Sequence, residues 1–244
     1  MPLKCSPSLT PIVLPLQFPV DIIDYILQRN SSVTKLVICS SRDDFLNQLL
    51  LSIQHSQRDS SPSGSPRLSP STDPPQTHPL LIPTIRLLAA CRSAHLAFCP
   101  TLQHLRAYLA TYTPPQLLDT SDASSRDQAQ SMLFLLSPIE LHRPTPDFSA
   151  QGLSRTLAAA VETADRVAAR LVIAEAVEFD EEGSVIGGGV EVWNEQVQLL
   201  NGIGRGLGGE ENWTGRTISV GQVAARWCVF EHDGSDGYVE ANER

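Results

Sequence analysis

Four short apolar runs, "KLVIC" (35–39), "AHLAFC" (94–99), "SMLFLLSPI" (131–139) and "RLVIAEAVEF" (170–179), constrain this chain more than any other feature. Each reads as a strand, and a continuous run without polar alternation such as "KLVIC" marks one covered on both faces. The stretches between them carry helical periodicity instead. After the first run, Ser41 stands three residues before Asp44, a capping-box-like start, and Phe45, Leu46, Leu49, Leu50 and Ile53 follow on one face. Pro100-Thr101 opens a helix that turns Leu102, Leu105, Leu109 and Tyr112 inward. "FSAQGLSRTLAAAVETADRVAARL" predicts the longest helix, with Leu153, Leu157, Val161, Ala164 and Ala168 on its stripe. Shorter helices are predicted at 17–28, where Pro19 suits the first turn, and near 82–92.

Strand–helix alternation in this order predicts an α/β fold: a mainly parallel sheet with helices on both faces. "RTISVG" and "RWCVFE" are expected to close it as C-terminal antiparallel strands, paired in a hairpin at the sheet edge. Residues 56–79 hold seven Ser and six Pro with almost nothing to bury, so a disordered insert is expected there. Its Ser-Pro pairs at Ser61, Ser65 and Ser69 suit proline-directed phosphorylation or are plain loop composition. Neither side of the insert holds a complete set of elements, so residues 1–244 read as one domain.

Charge narrows the partners. Residues 1–150 carry 11 basic and 11 acidic side chains, whereas 151–244 carry 7 and 16. A chain of net charge -9 with only Lys4 and Lys35 as lysines is not expected to bind nucleic acid strongly by itself. No apolar run reaches the ~20 residues that span a bilayer, and the proline-broken start lacks a secretory pattern. The five cysteines form no C-x-x-C pair. Reduced thiols and a nuclear or cytoplasmic, non-secreted location are expected. Cys91, His95 and Cys99 recur every four residues, but the last two bracket an apolar strand, so no metal is expected.

Ligands of open α/β sheets gather at the carboxyl ends of the strands. The end "CSSRDDF" has no glycine to wrap a phosphate and no lysine to reach one, and Asp43 and Asp44 would repel it. The only glycine before residue 150 is Gly64, inside the insert, so no Walker A loop exists and no nucleotide cofactor is expected. "RLVIAEAVE" has the form of a Walker B strand, with Glu175 in the metal-holding place or, without a phosphate loop, in a structural one. "NGIGRGLGG" (201–209) leads into strands rather than opening a strand–helix unit, so it reads as a flexible loop rather than a dinucleotide fingerprint. Cys39 and Cys99 would be side by side if their strands are neighbours, with His104 or His142 as a base, which would give a small thiol-dependent α/β enzyme.

The order of elements resembles the RecA-type ATPase core, in which the first strand–helix pair carries Walker A and the last strand Walker B. Strand–helix at 35–54 and 94–112, then "SMLFLLSPIEL" and a long helix into "RLVIAEAVE", carry the likeness, with "GRTISVGQVAARWCVFE" similar to the closing strands of recombinase paralogues. Lacking Walker A, the chain resembles members that have lost ATP binding. These include the paralogues of the Shu complex, which assist homologous recombination, and the accessory subunits of Elongator, a tRNA-modifying assembly. The resemblance implies a non-catalytic, ATP-independent subunit whose partner is another RecA-like subunit or a recombinase. Any nucleic-acid contact would be shared with that partner. Arg205, in the glycine-rich segment, and Arg216, after it, are the candidate DNA contacts. The apolar ends "TPIVLPLQFPV" and "RWCVF", with Trp227 and Phe230, are the candidate interface. The carboxylates at 175–182 would face a basic partner or solvent.

Overall fold

The computed structural model describes residues 9–28, 34–59, 78–113, 131–199 and 216–231. The chain runs β1 (Ile12–Val13), α1 (Pro19–Gln28), β2 (Thr34–Ile38), α2 (Arg42–Asp59), α3 (Ile85–Cys91), β3 (Ala94–Phe98), α4 (Leu102–Thr111), β4 (Met132–Leu136) and α5 (Ala150–Arg166). It continues through β5 (Arg170–Ala174), β6 (Val177–Phe179), β7 (Val185–Gly188), β8 (Gln196–Gln198), β9 (Thr217–Ser219), α6 (Val220–Ala224) and β10 (Val229–Phe230). The six-stranded central sheet has the order β10-β1-β5-β4-β2-β3 and is parallel throughout. Two small antiparallel pairs, β6-β7 and β8-β9, stand apart from it.

Alternate residues of the strands feed two cores, as a sheet covered on both faces requires. Val37, Leu133, Leu135, Leu171 and Ile173 pack with Leu105 and Leu109 of α4 and Leu153 and Leu157 of α5. Leu36, Ile38, Phe134, Leu136 and Val172 face the other way, onto Ile22 and Ile26 of α1 and Phe45 of α2. The α/β fold with helices on both faces is therefore present as expected.

Several details differ from the sequence expectation. "IVL" near the N-terminus is not a surface: Ile12, Val13 and Leu14 are buried, and β1 lies between β10 and β5. The run 170–179 is two strands. Beyond Ala174 the Glu175 carboxylate turns inward and the Ala176 N–H donates to Ser137 Oγ at 3.2 Å, so the ladder ends and β6 pairs with β7 instead. The C-terminal strands form no hairpin. Ser219 and Gln222 close a capping box that starts α6 between β9 and β10; β9 pairs with β8, and β10 runs parallel to β1 at the sheet edge. With 18 residues, α2 is longer than the 17-residue α5. Its Leu46 and Leu50 are exposed rather than inward, and Ala168 lies beyond α5 at φ 51°. Residues 56–59, expected in the Ser/Pro insert, belong to α2, which continues to Asp59, and Pro79 opens a 3-10 turn, Pro79–Leu81. Ser61, Ser65 and Ser69 lie outside the described residues.

Candidate functional site: the cleft at the carboxyl ends of the strands

Adjacent strands whose helices leave to opposite faces open a crevice at their carboxyl ends. Here β2 leads into α2 on one face, and β4, its neighbour, leads to α5 on the other. A cleft of about 840 Å³ lies there, lined by Cys39 to Ser41, Asp44, Ser137, Glu140, Arg143 and Glu178 among others.

Ser41, Asp44, Ser137, Glu140 and Arg143 around this cleft are engaged with the chain's own atoms. Ser41 caps α2: its Oγ accepts the Asp44 N–H at 3.1 Å and donates to the Asp44 carboxylate at 2.6 Å. Ser137 is held at φ 55°, a conformation unfavourable for a residue with a Cβ, and its Oγ accepts the Ala176 amide. Arg143 pairs with Glu140 at 2.8 Å and with Glu195, whose carboxylate also accepts the Arg143 Nε–H at 3.2 Å. Burial and the nearby Glu178 push the Glu140 carboxyl up, while Arg143 pulls it down. With Asp44, Glu140 and Glu178 against one guanidinium, the cleft repels phosphate rather than cradling it.

Glu175 does not line this cleft. It is buried, and its two oxygens accept the Ile139 N–H at 2.8 Å and the Glu140 N–H at 3.4 Å, fixing the turn after β4. Burial raises its carboxyl to about 8 against the pull of those two amides. The expectation that its charge faces a partner or solvent is thus corrected: it is an inward carboxyl on backbone donors. Nor is β2–α2 the first strand–helix pair of the fold. That pair is β1–α1, and its connection, Leu14 to Phe18, contains neither glycine nor lysine. There the Gln17 carbonyl accepts the Val177 N–H at 2.8 Å, and Gly189, at φ 63°, packs on the Gln17 side chain.

The thiols are placed as the sequence allowed but are not armed. Ile38 and Phe98 are in register on neighbouring strands, which sets Cys39 beside Cys99. Burial, with Glu175 and Cys99 nearby, holds the Cys39 thiol well above its ordinary value, and burial raises Cys99 despite Lys35. His104 is exposed on the first turn of α4, its N–H on Thr101 Oγ1. His142 is buried in a separate network, with Nδ1 3.2 Å from the Asp147 carbonyl and Nε2 3.0 Å from Thr156 Oγ1. Desolvation lowers it to about 4. Arg106 completes that network, donating to Asp147 at 2.6 Å and to Thr156 Oγ1 at 3.2 Å. Nothing in the sequence pattern marks Arg106, Asp147 and Thr156 as a unit, since they come from three separate segments.

Among the described residues no group of three His, Cys, Asp or Glu could hold a metal ion, and no helix is long and apolar enough to cross a membrane. Arg216 is exposed at the start of β9, its carbonyl accepting the Leu199 N–H at 3.1 Å; Arg205 and the segment 201–209 lie outside the described residues. Trp227 and Phe230 are partly buried against the chain's own core, Phe230 edge-on to Trp193 with centroids 5.3 Å apart. No family model, curated protein or solved structure matches this chain.

Proposed function

We propose that the chain is a non-catalytic, RecA-like subunit of a heteromeric complex that supports homologous recombination. One observation carries the non-catalytic part. At the carboxyl ends of the strands, Ser41, Ser137 and Glu175 are each committed to the chain's own backbone amides. Groups spent on the chain's own turns are not poised for a substrate, which supports the non-catalytic reading. The likeness in element order supports the RecA-like and recombination parts, and with them a RecA-like subunit or recombinase as partner. Arg216, exposed beside β9, is the described candidate for a shared DNA contact.

The test is to isolate the tagged chain from its native cells and weigh the assembly by light scattering. The expected result is a stoichiometric complex with a recombination protein or a second RecA-like chain, and no fluorescence response to a magnesium–ATP analogue. A folded monomer that binds the analogue overturns the proposal. Recovery with tRNA-modifying proteins moves the subunit to the Elongator-like role.

A further inference from the structure

Of the eleven large apolar residues exposed among the described residues, five fall between positions 81 and 96: Leu81, Ile82, Ile85, Leu88 and Leu96. A lone exposed Leu needs no explanation, but such clustering marks an interaction surface. Ile85 (88% exposed) and Leu88 (58%), three residues apart, share one face of α3. Its other face is used, since Leu87 and Ala90 line a groove against Asp24, Leu27 and Gln28 at the end of α1. The short helix thus has apolar faces on two sides, and only one is covered by described residues.

Charge says what would cover the other. From Pro74 to Leu118 the chain holds no Asp or Glu, although acidic residues outnumber basic ones 27 to 18 overall. Arg92, four residues after Leu88 and so on its face of the helix, is exposed, whereas Arg106 is committed to Asp147. The exposed face of α3 is therefore apolar and carries the Arg92 cation, while the nearby Asp24 lies on the covered side.

Strand addition is the less suitable mode here. Among the described residues β3 pairs only with β2, so it is an edge. The bonds Thr34 N–H to Ser93 O and Cys99 N–H to Ile38 O place alternate residues inward, so Ala94, Leu96 and Phe98 turn their backbone groups outward. Lys35 Nζ already donates to the Leu96 carbonyl at 3.3 Å, lying 5.4 Å from the Tyr108 ring and 5.9 Å from that of Tyr112. A lysine over an outward carbonyl blunts the edge.

We infer that α3 with the exposed face of β3 is the docking surface for a segment of a partner protein that carries apolar anchors among carboxylates. Side chains on α3, rather than main-chain pairing on β3, hold it. A membrane is the poorer occupant, because anionic bilayers attract clusters of about four to eight basic residues. A two-fold contact with a second copy would set the same cation-bearing patch, with no carboxylate of its own segment, against itself. The inference rests on the subunit reading above and names the surface and the kind of partner.

The experiment places a photoreactive phenylalanine at Ile85, at Leu88 or, on the opposite edge strand, at Val229 in the full chain in its native cells. Cross-linked peptides are then sequenced. The expected result is one protein joined through Ile85 and Leu88 at a segment with Leu, Ile or Phe set among Asp and Glu. The double variant Ile85→Asp, Leu88→Asp keeps its circular dichroism and melting curve, and its recovery of that protein falls at least about tenfold. Arg92→Glu lowers recovery in the same direction. Cross-links only at Val229, with a partner still co-purifying, overturn the surface and leave the subunit reading standing. Cross-links to lipid, to a second copy or to a basic segment overturn the inference. A monomer with no partner overturns both.

Discussion

Replacing Glu175 by Gln separates a structural carboxyl from a metal-holding one. In the folded chain burial raises this carboxyl from 4.5 to about 8. A raised acid adds stability that is complete below the unfolded value and is lost as pH rises through the folded one. The loss therefore runs from near pH 4.5 to near pH 8. At about 1.4 kcal/mol per pH unit of separation, its ceiling is about 5 kcal/mol. Gln does not titrate, and its oxygen still accepts the Ile139 N–H; the bond to the Glu140 N–H, already 3.4 Å, is the one given up. His142 works in the other sense. Lowered to about 4, it adds stability above its ordinary value of 6.5 that is lost as pH falls towards 4. That contribution is common to both proteins and cancels in their difference. Urea unfolding of wild type and Glu175→Gln from about pH 5 to about pH 8.5 should show the variant gaining on wild type throughout, by several kcal/mol at most. Stability curves that run parallel across this window would refute the argument, since Glu175 would then be ionised and solvated in the fold.

Three other outcomes follow from single contacts. A Cβ at Gly152 would lie 2.1 Å from the Asp147 carbonyl oxygen, so Gly152→Ala should cost about 1–3 kcal/mol or more in thermal unfolding. Among the described cysteines only Cys91 is exposed, so brief alkylation of the native protein should mark Cys91 and spare Cys39, Cys99 and Cys228, as peptide mapping would show. Faster labelling of Cys39 than of a free thiol would revive the thiol-enzyme alternative. Lys35→Met uncovers the Leu96 carbonyl on the edge strand and should raise concentration-dependent light scattering with a stability loss of only about 1 kcal/mol.

The α/β class was legible because the strands that bury both faces announce themselves by composition. "KLVIC" and "SMLFLL" admit few other states: β4 falls within the second, and β2 runs one residue ahead of the first, from Thr34 to Ile38. Strand order was not legible, because it depends on which faces the helices cover rather than on any single run. Most of the differences trace to that. β1 is two residues long, too short to show a period, yet it lies between two neighbours in the sheet. Glu175 looked like the end of a Walker B strand, and its role emerges only once β5 is known to lie beside β4, where the Ile139 and Glu140 amides are within reach. His142 and Arg106 are of the same kind, joined through Thr156 by packing that no spacing encodes.

The helix at 85–91 shows the converse limit. Its apolar content predicts burial, and half of that prediction holds, with Leu87 and Ala90 turned to α1 and Ile85 and Leu88 turned out. Amphipathic periodicity states which face of a helix avoids water; it cannot state whose surface provides the shelter. A helix preceding a central strand would have neighbours on both sides, but among the described residues β3 is the last strand of the sheet, and α1 is the helix that α3 meets. Sheet position, not the sequence of α3, leaves Ile85 and Leu88 uncovered. An aspartate at Ile85 or Leu88 should accordingly leave the melting temperature of the isolated chain nearly unchanged, as surface substitutions usually stay within about 0.5 kcal/mol. A loss of several kcal/mol would mean that the chain itself covers this face, and the surface would then be core.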